Sequence, residues 1–200
     1  IGGGVVGTQA ARMAVGMGAD VTILDRSLPR LRQLDTEFDG RLKTVYSTAD
    51  AMDQLIVEAD LVIGAVLIPG AAAPKLVTAQ HIKMMKKGAV VVDVAIDQGG
   101  CFETSKATTH QDPTYMVDDV VHYCVANMPG GVARTSTMAL TNATMPFTVT
   151  LANKGAKQAM LDDAHLMAGL NVLGGKITYK PVADVLGYEY VTPEDAIATL

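Results

Sequence analysis

The sequence has no tryptophan and only two cysteines, and charged residues fill only 18% of its 200 positions. Cys101 and Cys124 are too far apart for a CxxC metal or redox motif, and nothing else indicates a disulfide framework. No apolar run reaches the roughly 18 residues that a membrane-spanning helix needs, because Pro69, Gly70 and Pro74 interrupt the longest candidate. We therefore expect a cytoplasmic protein with no metal site and no membrane partner.

A block of basic residues is also missing. The formal net charge is −5, and the densest cationic stretch, residues 83–87, contains two methionines and ends before a glycine. Nucleic-acid-binding proteins present a clustered cationic surface to the phosphate backbone, so nucleic acid is not an expected partner. Hydrophobic residues make up 49% of the chain, which predicts a folded protein with a sizeable core.

Strand-like and helix-like segments alternate through the first 128 residues. Short apolar or β-branched runs predict strands, and the amphipathic stretches between them predict helices. This alternation is typical of a Rossmann-type α/β fold, in which helices cover both faces of a doubly wound parallel sheet. The predicted strands are 21–24, 45–47, 61–66, 89–95 and 123–126, and the predicted helices are 7–17, 29–38, 49–58 and 78–87.

The pattern changes after residue 128. Residues 135–168 predict helices without clear strands, and the tail from 176 to 200 predicts several short helices. We expect residues 1–128 to form one domain whose first strand is truncated, because the chain begins at a glycine cluster that normally follows a strand. Residues 129–200 are expected to be a helical extension that links to, and forms part of, a second domain missing from the sequence.

The glycine cluster at the start has the spacing GxGxxG, with Gly2, Gly4 and Gly7 as its fixed positions. In a dinucleotide site these glycines allow a tight turn, close approach of the backbone to pyrophosphate, and close packing of helix on strand. Amides at the following helix N-terminus, including those of Val5 and Val6, would hold the phosphates. Alone, such a cluster is as often an ordinary loop.

Asp25 strengthens the dinucleotide interpretation. It lies 18 residues after Gly7, at the end of a β-branched run, close to the spacing of about 20 expected for the acid that binds the adenosine ribose. A carboxylate there would repel a 2′-phosphate, which favours NAD over NADP, although the neighbouring Arg26 leaves NADP open.

Several longer motifs resemble those of the alanine dehydrogenase and nicotinamide nucleotide transhydrogenase superfamily. The resemblance extends over essentially the whole chain, and the strand ending in Pro-Gly followed by APKLV is its most specific part. The motifs are ADLVIGAVLIPG at 59–70, APKLV at 73–77, VVDVAIDQGGCFE at 91–103, VANMP at 125–129 and ALTNAT at 139–144.

The resemblance implies where the cofactor lies. Ser47 is similar to a family position near the adenine, with an ordinary surface serine as the alternative. Leu67 and Ile68 would flank the nicotinamide, unless they only pack within their loop. The cofactor contacts that the resemblance implies beyond the glycine cluster and Asp25 are Ser47, Val66, Leu67, Ile96, Asp97, Asn127 and Met128.

Asp97 is the candidate catalytic residue, because it follows a buried strand and precedes two glycines. The resemblance places it at the nicotinamide and substrate cleft, where it would orient water or the substrate amine. Asp93 lies inside the same strand, which favours a hydrogen-bonded structural role. Cys101 lacks a local basic partner, so we expect no nucleophilic role for it, and surface or structural roles are expected for all four histidines.

The implied function is NAD-dependent oxidation of L-alanine to pyruvate and ammonia, running reversibly, in a homohexamer. The chain would supply the cofactor-binding part and be inactive alone, since the family's substrate-binding cation and catalytic histidine belong to the other domain. One alternative is the NAD(H)-binding part of a transhydrogenase, whose relatives usually have an acid and an arginine where this chain has Asp97-Gln98. Another is a dinucleotide-binding module without turnover, because fold does not imply function.

Overall fold

The computed structural model describes residues 1–66 and 73–200. They divide into two compact units, one of residues 1–66 with 73–128 and one of residues 129–200. The first unit is a mixed α/β structure with parallel strands, and the second is mostly helical.

Two parallel strands and three helices form the first part of the α/β unit. Strand β1 (Thr22–Asp25) pairs in parallel with β2 (Lys43–Tyr46). Helix α1 (Val5–Gly16) precedes β1, while α2 (Leu28–Phe38) and α3 (Ala49–Glu58) flank β2 in the sequence. Ser27 and Thr48 accept hydrogen bonds from the first-turn amides of α2 and α3, which fixes where each helix begins.

Four strands form the second part, in the order β3, β4, β6, β5. Strands β3 (Leu61–Gly64), β4 (Val90–Asp93) and β6 (Val120–Tyr123) run in parallel, and α4 (Ala79–Met84) lies between β3 and β4 in the chain. Strand β5 (Thr114–Val117) pairs antiparallel with β6. It was not predicted, and the last predicted strand, 123–126, begins three residues too late.

Residues 1 and 2 connect these two groups of strands. The Gly2 amide donates to the Leu24 carbonyl (2.8 Å), and the Ala65 amide donates to the Ile1 carbonyl (2.9 Å). The start of the chain therefore occupies a strand position between β1 and β3.

Helices cover both faces of β1, as the predicted doubly wound fold requires. Successive residues of a strand point to opposite faces. Ile23 packs with Ala11 of α1 and with Leu34 and Phe38 of α2, whereas Leu24 belongs to a second cluster with α3, α4, β3 and β4. The α/β fold class is confirmed, with one antiparallel strand at the sheet edge as the correction.

The second unit contains one long helix and several short elements. Helix α5 (Ala133–Asp162) has Pro146 inside it and is interrupted at Gly155, whose backbone is not helical (φ 73°, ψ 163°). The tail also contains a short antiparallel hairpin with two residues in each strand, which was not predicted. The remaining elements are α6 (Ala164–Ala168), β7 (Val172–Leu173), β8 (Lys176–Ile177), α7 (Lys180–Leu186) and α8 (Pro193–Ile197).

Some local expectations were wrong. Helix α4 ends at Met84 rather than at residue 87. Met13 and Met17 of α1 are exposed, with exposed fractions of 67% and 85%. None of the helices in residues 1–66 and 73–200 has both the length and the apolar composition needed to cross a membrane.

Candidate functional site

The candidate site lies at the edge of the sheet where the parallel strands end. The strand registers pair Asp25 with Tyr46, and Gly64 with Asp93. The Ser47 amide donates to the Asp25 carbonyl (3.0 Å), so Ser47 lies directly beyond β2 at this edge. Open α/β sheets bind ligands at the carboxyl ends of their strands.

The glycine turn is built so that side chains would not fit at two of its positions. Gly2 has φ +93°, and a Cβ atom there would lie 2.8 Å from the Ala65 carbonyl oxygen and 3.0 Å from a Val66 methyl carbon. A Cβ on Gly7 would lie 1.9 Å from the Gly2 carbonyl oxygen. The sequence GxGxxG therefore lets α1 and the end of β3 approach the turn closely.

The first amides of helix α1 have no hydrogen-bond partner in the part of the chain that the structure describes, and they are open to a ligand. Its N-cap is Gly4, which has no side-chain cap, and the helix begins at Val5. The first amides of a helix have no partner within the helix, and the helix dipole gives this end a partial positive charge. Nothing lies within 4 Å of a Cβ built on Gly4, and Val5 is 81% exposed. The amides from Gly4 to Gly7 thus suit a phosphate group.

Asp25 is held against the glycine turn. Its Oδ2 accepts a hydrogen bond from the Gly3 amide (2.7 Å), and its Oδ1 accepts one from the Ser27 amide (2.8 Å). A carboxylate has about four acceptor sites, so the Asp25 carboxylate keeps acceptor capacity for two further hydroxyl groups. This arrangement suits the vicinal hydroxyls of a ribose.

Arg30 on α2 supports the same turn and was missed by the sequence analysis. Its Nε donates to the Gly3 carbonyl (2.6 Å), and a terminal guanidinium nitrogen donates to the Thr8 hydroxyl (2.6 Å). The Thr8 hydroxyl in turn donates to the Gly4 carbonyl (2.7 Å). The two Arg30 contacts join residues more than 20 positions apart in sequence, so no local pattern indicated them.

Asp97 lies in a short 3₁₀ helix, Ile96–Gln98, that follows β4. Ile96 is buried at 8% exposure and the preceding Ala95 belongs to the hydrophobic core, while the Asp97 side chain is exposed. The Gly99 and Gly100 amides donate back to the carbonyls of Ile96 and Ala95, each at 3.0 Å. The loop therefore presents Asp97 to solvent on a hydrogen-bonded turn.

Asp93 has the structural role that its position in a strand favoured. It is fully buried, and its Oδ2 accepts hydrogen bonds from the amides of Cys101 (2.8 Å) and Phe102 (3.3 Å) and from the Ser105 hydroxyl (2.5 Å). Its Oδ1 has no hydrogen-bond partner among the described residues. Asp93 ties the return of the Asp97 loop to the end of β4.

The remaining predicted site residues lie at the ends of β3 and β6. Val66 is half-buried beside Gly2, and Met128 is half-buried after β6. Asn127 is exposed with a left-handed backbone (φ 55°), and its carbonyl accepts a hydrogen bond from His110 (2.9 Å). Leu67 and Ile68 lie outside the described residues.

Cys101 and His122 of the α/β unit have structural surroundings. Burial raises the pKa of the Cys101 thiol, which opposes formation of a nucleophilic thiolate. His122 is fully buried, with its Nδ1 at 3.0 Å from the Val120 carbonyl and its Nε2 at 2.7 Å from the Thr104 hydroxyl. Burial lowers the pKa of His122, so the neutral ring fits this position.

The geometry described above has a counterpart in known proteins. The sequence model of the family "Alanine dehydrogenase/PNT, C-terminal domain" matches residues 1–180. The chain belongs to this family. An alanine dehydrogenase from Halomonas elongata is 67% identical over 191 residues, and one from Bacillus subtilis is 59% identical over 198 residues.

Two solved structures have the same fold as this chain. An L-alanine dehydrogenase matches 93% of this chain with a TM-score of 0.84 and 50% identity. A transhydrogenase from Sinorhizobium meliloti matches 89% with a TM-score of 0.71 and 27% identity. The two sequence matches cover 96% and 98% of this chain but only 52% of each relative, so the chain spans about half the length of those relatives.

Membership of the alanine dehydrogenase/PNT family implies a nicotinamide dinucleotide cofactor, and the residues at the sheet edge fit one. The open helix N-terminus suits the pyrophosphate, and the Asp25 carboxylate suits a ribose. No group of three or more histidine, cysteine or acidic residues within residues 1–66 and 73–200 is arranged to hold a metal ion.

Proposed function

We propose that this chain is the cofactor-binding part of an NAD-dependent alanine dehydrogenase, which converts L-alanine reversibly to pyruvate and ammonia. The observation that supports this most is the arrangement of the open α1 N-terminus, the Asp25 carboxylate and the exposed Asp97 at one sheet edge. The names of relatives that are 59% and 67% identical support the choice of alanine as substrate.

Each end of the proposed cofactor site has a defined role. The amides from Gly4 to Gly7 hold the pyrophosphate, and Asp25 accepts the hydroxyls of the adenosine ribose. The Asp25 carboxylate disfavours a 2′-phosphate, which makes NAD the proposed cofactor. The further proposed cofactor contacts are Ser47 near the adenine and, around the nicotinamide, Val66, Leu67, Ile96, Asp97, Asn127 and Met128.

Asp97 is the proposed catalytic residue of this chain. Bound NAD would supply the acceptor for the hydride that leaves the alanine α-carbon. The amine becomes an imine when the α-carbon loses this hydride and the nitrogen loses a proton, and water must then add before ammonia leaves. An exposed carboxylate on a hydrogen-bonded turn is suited to hold that water or the amine and to accept a proton.

The rest of the proposed enzyme lies outside the α/β unit. Residues 1–128 are the proposed NAD-binding domain, and residues 129–200 the proposed helical linker with part of the catalytic domain. Because the chain spans about half the length of its relatives, we propose that a further domain supplies the cation for the substrate carboxylate and a catalytic histidine. We also propose a homohexamer located in the cytoplasm.

Replacing Asp97 tests the proposed function. In the full-length protein, Asp97→Asn removes the proton acceptor but keeps the size of the side chain. We expect kcat for NADH formation from L-alanine to fall about 100-fold or more, while calorimetry shows NAD affinity within about threefold. Asp112→Asn, at an exposed loop residue, is the matched control and should be fully active.

The second candidate function is hydride exchange between two nicotinamide cofactors, favoured by the transhydrogenase neighbour. It predicts hydride transfer from NADH to an NADP analogue and no NADH formation with L-alanine. A full-length protein that binds NAD but catalyses neither reaction would instead be a binding module.

A further inference from the structure

The loop that presents Asp97 contains two adjacent glycines with left-handed backbones. Gly99 has φ +88° and Gly100 has φ +78°. A Cβ on Gly100 would lie 2.4 Å from Asp93 Oδ2, so a residue with a side chain does not fit at this position. Paired glycines have high conformational freedom. Besides the hydrogen bonds within the loop, the orientation of Asp97 therefore depends on contacts made from outside it.

Segment 73–77 supplies those contacts through its backbone. The Ala73 amide donates to the Gln98 carbonyl (2.9 Å), and the amides of Leu76 and Val77 donate to the Cys101 carbonyl (2.8 and 3.2 Å). These bonds fix the loop on either side of the glycine pair. They leave the carbonyl of Gly99 itself without a backbone partner from this segment.

Lys75 completes the connection with its side chain. Its Nζ donates to the Gly99 carbonyl and also to the Phe102 carbonyl (3.1 Å). Lys75 forms no salt bridge within residues 1–66 and 73–200, whereas six other lysine or arginine side chains pair with a carboxylate there. Its positive charge therefore acts on two backbone carbonyls. A hydrogen bond from a charged donor is stronger than one between two neutral groups.

We propose that Lys75 is a positioning residue, which holds the Gly99–Gly100 turn so that the Asp97 carboxylate keeps the orientation needed for proton transfer. This inference rests on the proposed function of Asp97. Small displacements of a positioned group lower the rate of the chemical step more than they lower binding. Lys75 should therefore affect kcat, with little effect on KM.

The test compares Lys75→Met with Lys75→Arg in the full-length protein. Lys75→Met keeps the aliphatic chain and removes the donor; we expect a kcat about 10-fold lower, with KM for alanine and NAD within about threefold. Lys75→Arg keeps a cationic donor and should retain at least about half of the wild-type kcat. Lys86→Met, which breaks a surface ion pair with Asp60 (2.8 Å), is the matched control and should leave kcat unchanged.

Hydrogen exchange separates failure of this inference from failure of the proposed function. Lys75→Met should speed exchange of the amides in 96–102, whereas Lys75→Arg and Lys86→Met should not. If wild-type protein lacks alanine dehydrogenase activity, the proposed function fails and the exchange measurement still decides whether Lys75 holds the loop. Unchanged exchange in Lys75→Met, or a wild-type kcat in that variant, overturns the positioning role.

Discussion

Replacing Asp25 separates its two roles in the glycine turn. In the structure its two carboxylate oxygens accept the amides of Gly3 and Ser27, and we propose that they also accept two ribose hydroxyls of NAD. Asp25→Ala removes all four hydrogen bonds. Asp25→Asn removes the charge and one acceptor oxygen but keeps a carbonyl for one of the amides.

The expected magnitudes follow from the number of bonds lost. A hydrogen bond to a charged group is worth about 1.5–3 kcal/mol, so losing two ribose bonds should cost about 3 kcal/mol or more of binding free energy. At about 1.4 kcal/mol per tenfold, NAD should bind about 100-fold more weakly to Asp25→Ala. The unpaired Gly3 amide should lower the free energy of unfolding by about 1–3 kcal/mol, which leaves the domain folded.

Isothermal titration calorimetry measures how each variant changes the affinity for NAD and the affinity for NADP. Asp25→Asn should lose NAD affinity and narrow the preference for NAD over NADP, because the charge that repels the 2′-phosphate is gone. Asp20→Ala is the matched control, since within residues 1–66 and 73–200 Asp20 pairs only with Lys43, at the surface before β1 (2.7 Å). NAD affinity within twofold of wild type in Asp25→Ala would refute the ribose assignment.

Two further predictions concern packing and pH. Gly7→Ala places a methyl group 1.9 Å from the Gly2 carbonyl oxygen, so we expect about 1–3 kcal/mol lower stability and weaker NAD binding. Gly16→Ala adds a methyl group in open space and should be neutral or slightly stabilising. Equal melting temperatures for the two variants would contradict the packing argument. Burial lowers the pKa of His122 from 6.5. Below about pH 6.5 the unfolded chain therefore binds a proton that the folded chain does not, and the protein becomes less stable as the pH is lowered toward the pKa of the folded state. Between pH 7.5 and 5.5 the melting temperature should fall less in His122→Gln than in wild type. Equal falls in the two proteins would contradict a lowered pKa of His122 in the folded state.

The sequence predicted the elements that have strong local signals. Helix α3 matches its predicted bounds, 49–58, because Thr48 marks its start and the apolar spacing continues to its end. The turn at Asp118-Asp119 has left-handed backbones at both residues (φ 50° and 63°), but it lacks the glycine that usually marks such hairpins. For that reason β5 was missed. Apart from His122, residues 120–126 form a continuous apolar run, whose periodicity does not fix where β6 begins and ends.

The candidate site was predictable only in part. The glycine spacing and Asp25 follow a recognised local pattern, and Asp93 was expected to be a hydrogen-bonded structural residue, which its buried contacts confirm. Arg30 and Lys75 were not identified, because each contacts backbone carbonyls more than 20 residues away. Contacts between a long side chain and a distant carbonyl leave no periodic signal in the sequence.

The central claim is that the amides of Gly4 to Gly7 and the Asp25 carboxylate bind the same dinucleotide. A crystal structure of the protein with NAD tests it most directly. We predict the pyrophosphate at the N-terminus of α1, with both hydroxyls of the adenosine ribose hydrogen-bonded to Asp25. NAD bound elsewhere, with this edge of the sheet empty, would contradict the claim.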